Sequence, residues 1–362
     1  FPQVADVLPA VRAGLLDALA DPGDASRIGA AIRTGRALLQ PMAADAKSRT
    51  VHLVGHAHID MNWFWSMEET QDVILRDFRT MARFLDEFPE FRFSQSQCAA
   101  YDIAERLDPA LFGRIRGHVA DGRWEPTASA WVEGDLNLSD GESIVRHILL
   151  SKRYLSDRFG FEPRIMWCPD TFGHPANLPQ ILRKAGIDRY FFLRCGPGTD
   201  QAPEDDDRRL REARHVPLFH WVGQDGSRVT AANLIYGCDI WTAGLVAQSE
   251  RMKQGFGLDN ALFVFGTGDH GGGPTRRDIL RIRELAASPT VPTLRFSTTG
   301  EYFDAVEAEG GLDRIPVHRG ELNAVFDGCY TTHGDIKRYN RLCENALRAA
   351  EALSAAAGPG PG

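Results

Sequence analysis

The sequence predicts an α/β fold built around a parallel β/α barrel, and three observations lead to that prediction. Short apolar runs of strand length alternate with longer amphipathic segments from Val51 to about Asp313 in the 362-residue chain. About seven or eight such units occupy roughly 250 residues, the length that a closed or nearly closed β/α barrel requires. Charged, aromatic or metal-binding side chains come directly after many of the runs, as is typical of strands that end at an active site.

Residues 1–49 are expected to form a helical segment ahead of the barrel. Apolar positions recur at helical spacing on both sides of Asp21-Pro22-Gly23-Asp24, which is typical of a turn. Asp24 or Ser26 is placed to cap the second helix.

Residues 50–312 are expected to form the barrel itself. The segments between the apolar runs, such as 70–88 and 143–159, have helical periodicity. Strands separated by helices pair in parallel through right-handed crossovers. The runs assigned to strands are 51–54, 91–93, 128–132, 164–168, 190–193, 229–234, 262–265 and 293–296.

Residues 313–362 lack this alternation. The segment 334–357 is rich in Arg, Glu, Leu and Ala at helical spacing and predicts a long surface helix that begins a further helical segment. The Ala-, Gly- and Pro-rich residues 355–362 are expected to be a frayed tail.

Composition excludes several classes of protein. With 43% apolar residues the chain can bury a full core, so intrinsic disorder is excluded. A net charge of -8 argues against nucleic-acid binding, and no apolar run approaches the roughly 20 residues of a membrane span. The six cysteines form no CxxC pair, which indicates neither a zinc knuckle nor a disulfide scaffold but buried thiols in a reducing, cytoplasmic compartment.

An HxHxD pattern made of His56, His58 and Asp60 closes the first predicted strand. Alternate residues of an extended segment point the same way, so His58 and Asp60 can face one metal ion with His56 beside them. Two hydrogen-bonded structural histidines would produce the same spacing, and both interpretations stay open.

Two further strand ends carry a carboxylate. Asp170 is placed either to contact a ligand or to cap the helix expected over 177–184. The glycine-rich segment 266–274 does not have the spacing of a phosphate-binding loop. Its glycines either let the backbone around Asp269 and His270 approach a substrate closely or form a flexible surface loop.

Taken together, these motifs resemble the catalytic domain of the glycoside hydrolase family 38 α-mannosidases. The matching segments occur in family order and are 55–60 with Trp63, 131–137, 167–174, 219–226 and 268–274, followed by the weaker 330–341. The resemblance implies a seven-stranded parallel β/α barrel followed by the start of a helical bundle. It also implies a metal-dependent retaining glycosidase that cleaves terminal α-mannosyl residues through a covalent glycosyl-aspartate intermediate.

The resemblance further implies roles for individual residues. Three residues correspond to ligands of one divalent metal ion, namely His58, Asp60 and Asp170. The expected ion is Zn²⁺, with Co²⁺ or Ca²⁺ as alternatives. Asp170 also corresponds to the nucleophile, Asp269 to the general acid/base and Trp63 to the aromatic floor under the sugar. The substrate would be an α-mannoside oligosaccharide or glycan, without nucleic-acid or membrane partners, and an oligomer is compatible with the sequence.

Other polar residues near the predicted site allow two interpretations each. Arg194, at a strand end, either binds substrate or forms an ion pair with a neighbouring carboxylate. Glu133 and Asp135 either orient the metal-site residues or are ordinary solvated loop residues.

The chain departs from the family in two respects. Members take a fourth metal ligand from a histidine deep in the helical bundle, and His270, or failing that His333, is the hypothesis for a substitute here. The family's β-sandwich domains are absent from these 362 residues, so a fragment, a compact variant or domains supplied from elsewhere are all considered. The rival functions are a metal-dependent amidohydrolase or deacetylase on the same barrel and a truncated, non-catalytic sugar-binding barrel.

Overall fold

The computed structural model describes residues 2–197, 216–268, 270–323 and 327–358, which form an α/β fold. Helices pack around two five-stranded sheets whose neighbouring strands are parallel with one exception. The predicted α/β class with a parallel sheet and flanking helices is therefore confirmed.

The strands and helices alternate along most of the chain. The strands are β1 (Thr50–Gly55), β2 (Phe93–Gln95), β3 (Trp124–Pro126), β4 (Ile165–Cys168), β5 (Arg189–Phe192), β6 (Leu218–Val222), β7 (Arg228–Asn233), β8 (Asn260–Phe265), β9 (Thr293–Phe296) and β10 (Val317–Arg319). The α-helices are α1 (Pro2–Leu19), α2 (Ala25–Leu39), α3 (Ala43–Lys47), α4 (Met67–Glu87), α5 (Cys98–Leu107), α6 (Pro109–Ala120), α7 (Gly141–Phe159), α8 (Leu178–Lys184), α9 (Thr242–Phe256), α10 (Arg276–Ala286), α11 (Thr299–Ala308), α12 (Asp327–Thr331) and α13 (Gly334–Ala357).

The expected seven-stranded barrel, closed or nearly closed, is not confirmed, because the strands of the described residues form two separate sheets. One sheet has the order β3-β2-β1-β8, with β9 also paired to β1, and the other has the order β10-β6-β7-β5-β4. Between the two sheets, β7 is followed by a single bridge that links Cys238 to Phe265 at the end of β8. A closed barrel needs a continuous ladder at every junction, so the two sheets remain open.

The exception to parallel pairing is the hairpin β6–β7, which the sequence analysis did not predict. Only five residues separate the two strands, and a connection this short permits antiparallel but not parallel pairing. Gly226 turns the chain with φ of 85°, and the Asp225 side chain accepts the Ser227 amide at 3.0 Å.

The predicted strand over 128–132 is also wrong. The strand in this region is β3. The backbone carbonyl groups that follow it accept hydrogen bonds from a helix instead of from a neighbouring strand. The first amides of α5, those of Cys98 and Ala99, donate to Ala130 O at 3.2 Å and to Trp131 O at 2.9 Å. These bonds satisfy helix-end donors that would otherwise lack partners.

The chain before β1 is helical, as predicted. α1 and α2 lie on either side of the turn, and the Asp24 side chain caps α2 by accepting the Arg27 amide at 3.0 Å. The prediction of buried thiols holds for Cys98, Cys168 and Cys195, whereas Cys343 is exposed. None of the helices within the described ranges is both long enough and apolar enough to cross a bilayer.

Helix α13 contacts the rest of the domain through polar residues. Arg348 pairs with Asp140 at 3.0 Å, and Glu344 accepts the Asp140 amide and the Ser143 hydroxyl at 3.0 Å each. The large apolar side chains of the helix are exposed, namely Ile336, Tyr339, Leu342, Leu347 and Leu353. An amphipathic surface helix normally packs its apolar face against the domain. In α13 the polar side chains make the contacts and the apolar ones face solvent.

Candidate active site

The register of the strands brings the candidate residues to one edge of the sheets. β1 pairs with β8 from Thr50 to Gly55, so the segments that begin at His56 and Gly266 leave the sheet side by side. β4 pairs with β5 up to Cys168 and Phe192, which puts Asp170 and Arg194 two residues beyond the same pair. The carboxyl ends of parallel strands are where α/β proteins bind ligands.

His58, Asp60 and Asp170 form a cluster at this edge. One ligand atom from each lies within 4.8 Å of the others, and the Nε2 of His58 is 3.1 Å from an Asp60 oxygen. The cluster opens into a cavity of about 200 Å³, which suits a small polar ligand. The cavity is lined by these three residues together with Ile59, Met61, Gln97, Glu133, Gly134, Asp135, Thr171, Phe172 and Cys329.

His56 is a structural histidine. Its Nδ1 donates to Ser94 O at 2.9 Å, and its Nε2 accepts from the Trp167 indole at 3.2 Å. Burial lowers the pKa of His56 to about 3, so the ring stays neutral. Of the two interpretations of the HxHxD pattern, hydrogen-bonded structure therefore describes His56, and metal competence describes His58.

The electrostatics around His58 favour a positive charge. Burial lowers the pKa of this residue, but its hydrogen bond to Asp60 and the charges of Glu133 and Asp170 outweigh that effect and raise the pKa. Burial raises the pKa of Glu133 to about 7, although His58 and the Asp170 amide oppose the shift. A cation in this cavity would therefore lie among the carboxyl groups of Asp60, Glu133 and Asp170.

Asp170 does not cap a helix. Residue Asn177 stands at the N-terminus of α8 and makes no side-chain cap bond. One carboxylate oxygen of Asp170 instead accepts from the Arg194 Nε, and the Asp170 amide donates to Glu133 at 2.6 Å. The ion-pair interpretation of Arg194 therefore holds, and its guanidinium also lies 4.5 Å from the centre of the Phe172 ring.

Trp63 lies in the loop between β1 and α4. It is 60% exposed and packs against Phe64, with the ring centroids 4.2 Å apart. An exposed aromatic pair at the edge that carries the cluster offers an apolar face to a ligand.

The glycine-rich loop lies against the cluster, although Asp269 itself falls outside the described residues. A Cβ on Gly268 would stand 3.3 Å from the Cβ of His58. His270 forms an antiparallel bridge with Ile59. The two neighbours of Asp269 thus lie beside the chain segment that carries His58.

Neither proposed substitute for a fourth metal ligand belongs to the metal-competent cluster of the described residues. The Nε2 of His270 lies 2.9 Å from Glu69, and the ring stacks on Trp65 with centroids 4.0 Å apart. His333 is exposed at the start of α13. The hypothesis that either residue ligates the metal gains no support from the structure.

The loop is held from α4 by the buried carboxylate of Asp77, which accepts the Gly272 amide at 2.6 Å. A Cβ on Gly271, whose φ is 75°, would stand 2.1 Å from an Asp77 oxygen. We expect Gly271→Ala to lower the free energy of unfolding by about 2–4 kcal/mol, from overpacking together with left-handed backbone strain.

Chemical denaturation checks this prediction against a matched control. Gly122 has φ of 76°, but nothing lies within 4 Å of an added Cβ, so Gly122→Ala isolates the backbone strain. We expect it to cost only about 1 kcal/mol. Equal losses in the two variants would show that Asp77 does not constrain the loop.

Gln97 is a site residue that the sequence analysis missed. Its side chain donates to Ile59 O at 2.8 Å and accepts the Glu133 amide at 3.0 Å. Its backbone has φ of 65°, which is strained for a residue other than glycine. No local sequence pattern marks such a residue, since its partners lie on two other segments.

The fold and the site together define a class: an α/β domain with a carboxylate-rich, metal-competent cavity at the carboxyl ends of its strands. Comparison with known proteins then supplies the family. The model of the "Glycosyl hydrolases family 38 N-terminal domain" matches residues 48–321. The chain belongs to this family.

Individual relatives agree with the family assignment. "Alpha-mannosidase G" of Dictyostelium discoideum is 34% identical over 322 residues, which cover 86% of this chain and 28% of the relative. Human "Alpha-mannosidase 2C1" is 32% identical over 312 residues, covering 85% of this chain and 29% of the relative. This chain thus spans less than a third of the length of these curated relatives.

A solved structure agrees with the fold. The crystal structure of an alpha-mannosidase from Enterococcus faecalis V583 superimposes with a TM-score of 0.62 at 21% sequence identity. The match covers 76% of this chain and 31% of the other. At this identity the likeness concerns the fold alone.

Proposed function

We propose that the protein is an α-mannosidase, a metal-dependent retaining glycoside hydrolase that removes terminal α-mannosyl residues from oligosaccharides or glycans. The observation that carries the proposal is the cluster of His58, Asp60 and Asp170 at the strand ends of a family 38 domain. The names of the curated relatives support mannose as the sugar. Membership of this family does not favour the rival amidohydrolase or deacetylase.

The donor set of the cluster fits a divalent metal ion. One imidazole nitrogen and two carboxylate oxygens match the ligands that zinc takes in catalytic sites, where three protein ligands leave a position for substrate or water. The imidazole favours Zn²⁺ or Co²⁺ over Ca²⁺, which prefers oxygen ligands alone. A bound ion would supply a positive charge and a template for neighbouring sugar hydroxyls.

Asp170 is the proposed nucleophile. Its carboxylate is fixed from one side by Arg194 and its backbone by Glu133, so the group is oriented before substrate arrives. One carboxylate oxygen forms a bond to the anomeric carbon as the glycosidic bond breaks, and the leaving oxygen takes a proton from a second carboxyl group. Water then attacks the same carbon, releases Asp170 and returns a proton to that carboxyl group.

Asp269 is the proposed second carboxyl group, the general acid/base. This assignment rests on its family position and on the proximity of its neighbours Gly268 and His270 to the His58 segment. We also propose Trp63 as the surface on which the sugar ring stacks. We propose that Arg194 mainly orients Asp170 through their ion pair. The same guanidinium is the group that would contact substrate.

Trapping of the covalent intermediate tests the proposal. An activated fluoro-mannoside should leave a mannosyl adduct on the peptide that contains Asp170, detectable by mass spectrometry. Aryl α-mannoside hydrolysis should stop when a chelator removes the metal and should return with zinc. Hydrolysis with inverted anomeric configuration, or no hydrolysis with zinc, cobalt or calcium supplied, would contradict the proposal.

The predicted cytoplasmic location, the exclusion of nucleic-acid and membrane partners and the possible oligomer stay predictions. They rest on charge, on hydropathy and on the spacing of the cysteines.

A further inference from the structure

We propose that Glu133 is a positioning residue that selects the tautomer of His58 and ties this histidine to Asp170. The inference rests on the proposed metal site and deepens it. Glu133 is assigned no contact with metal or sugar and acts through the two residues that it holds.

Two buried polar atoms that find no hydrogen-bond partner among the described residues face each other at this position. The Nδ1 of His58 and one carboxylate oxygen of Glu133, Oε2, are 3.6 Å apart. Both atoms are shielded from solvent, and neither has a hydrogen-bond partner within the part of the chain that the structure describes. Leaving such an atom unsatisfied costs about 1–3 kcal/mol. Each can satisfy the other if Nδ1 carries a proton and the pair closes to about 3.0 Å.

The proton on Nδ1 decides what the other nitrogen of the ring can do. The Nε2 of His58 faces Asp60 at 3.1 Å, inside the metal-competent cluster. A neutral imidazole protonated at Nδ1 keeps a lone pair on Nε2, which is the form that binds a metal. In the opposite tautomer, the lone pair of Nδ1 would face the Glu133 carboxylate oxygen. The proton on Nε2 would then point towards the metal position.

The second oxygen of the same carboxylate holds the nucleophile segment. Glu133 Oε1 accepts the Asp170 amide at 2.6 Å and the Thr171 hydroxyl at 3.1 Å. His58 follows β1 and Asp170 follows β4, and these strands belong to different sheets. Because the sheets form no closed barrel, one carboxylate that contacts both segments helps to set the distance between the two metal-competent groups.

Glu133 is itself held in place through Gln97. This side chain accepts the Glu133 amide and donates to Ile59 O, between His58 and Asp60. The strained backbone at Gln97 is thus part of the same network.

Glu133→Gln separates the two functions of the carboxylate. The amide oxygen can still accept from Asp170 and Thr171, but the NH₂ group then faces Nδ1 of His58 and favours the wrong tautomer. We expect the zinc affinity of the purified protein, measured by competition with a chromophoric chelator, to fall about 10- to 100-fold. Circular dichroism and the thermal midpoint should show a folded protein.

Asp135→Asn is the charge-matched control. Asp135 lines the same cavity, but its carboxylate accepts the amides of Asn137 and Leu138. We expect its loss of charge to change zinc affinity by no more than about threefold, since solvent screens a partly exposed charge. An equal loss in both variants would assign the effect to charge alone and overturn the positioning role.

A second measurement uses the wild-type protein and does not depend on how the variant folds. In ¹⁵N-histidine NMR spectra of the zinc-loaded chain, His58 should carry its proton on Nδ1 and bind through Nε2. Zinc bound through Nδ1, or unchanged affinity in a folded Glu133→Gln variant, would refute the inference and leave the metal site standing. Absence of zinc binding by the wild type would instead refute the metal site of the proposed function.

Discussion

Asp170→Asn is expected to lower kcat for an aryl α-mannoside by at least about a thousandfold, because the amide can neither attack the anomeric carbon nor leave as a carboxylate. The same substitution removes one of the three groups of the metal-competent cluster. Steady-state kinetics at saturating zinc separates the two effects, since weaker metal binding is overcome by added metal whereas loss of the nucleophile is not.

The control for this variant is Asp225→Asn. Asp225 is exposed in the β6–β7 turn and accepts the Ser227 amide, a bond that an asparagine oxygen can also accept. Activity of this control should equal that of the wild type. If Asp170→Asn retained a tenth or more of the activity at saturating zinc, Asp170 would not be the nucleophile.

Asp269→Asn is expected to have an effect that depends on the leaving group. Without the acid, hydrolysis of alkyl mannosides, whose leaving oxygen needs a proton, should fall about 10²- to 10⁴-fold. Substrates that leave as a stable phenolate need less help in the first step and should accumulate the covalent intermediate. Azide, which attacks without a general base, should then restore turnover and yield mannosyl azide with retained configuration.

Stopped-flow kinetics and product analysis check this second prediction. The pattern to look for is a burst of phenolate followed by slow turnover that azide accelerates. A uniform loss across all leaving groups without rescue by azide would remove Asp269 from the role of general acid/base.

The sequence was sufficient to locate the strands that carry the site. Runs 51–54 and 262–265 correspond to β1 and β8, whose central residues are buried, and run 164–168 corresponds to β4. Buried parallel strands are continuously apolar and stand out from amphipathic helices. For the same reason, the polar residues directly after them could be recognised as candidates.

The sequence was less informative where pairing depends on partners far along the chain. Strand β6, which contains the polar residue His220, was not among the predicted strands. The turn Asp225-Gly226 beside it is typical of a hairpin and could have indicated the strand. The apolar residues at 128–132 look like a strand, yet their carbonyls accept amides from α5. The sequence left open whether the barrel closes fully, because hydrophobic periodicity does not show which strand edges pair.

Within the site, spacing alone left open whether the two histidines of the HxHxD pattern are structural, and only the family resemblance singled out His58 as a ligand. Both occur in one motif, but Ser94 and Trp167 occupy both nitrogens of His56 and leave only His58 for the cluster. The network through Gln97 likewise joins three segments distant in the sequence. Such assignments depend on distances between elements, which only the folded structure defines.

The inverted orientation of α13 makes its attachment sensitive to salt. The helix is held by contacts such as Arg348 to Asp140 and Arg146 to Glu351, and partly exposed ion pairs contribute only about 0.2–1 kcal/mol each. At 1 M ionic strength the Debye length shrinks to about 3 Å, while apolar burial elsewhere in the domain is not weakened. Amide hydrogen exchange in this helix should therefore accelerate with added salt before the β1–β8 ladder is affected, so the helix can detach while the strand edge that carries the candidate site stays folded.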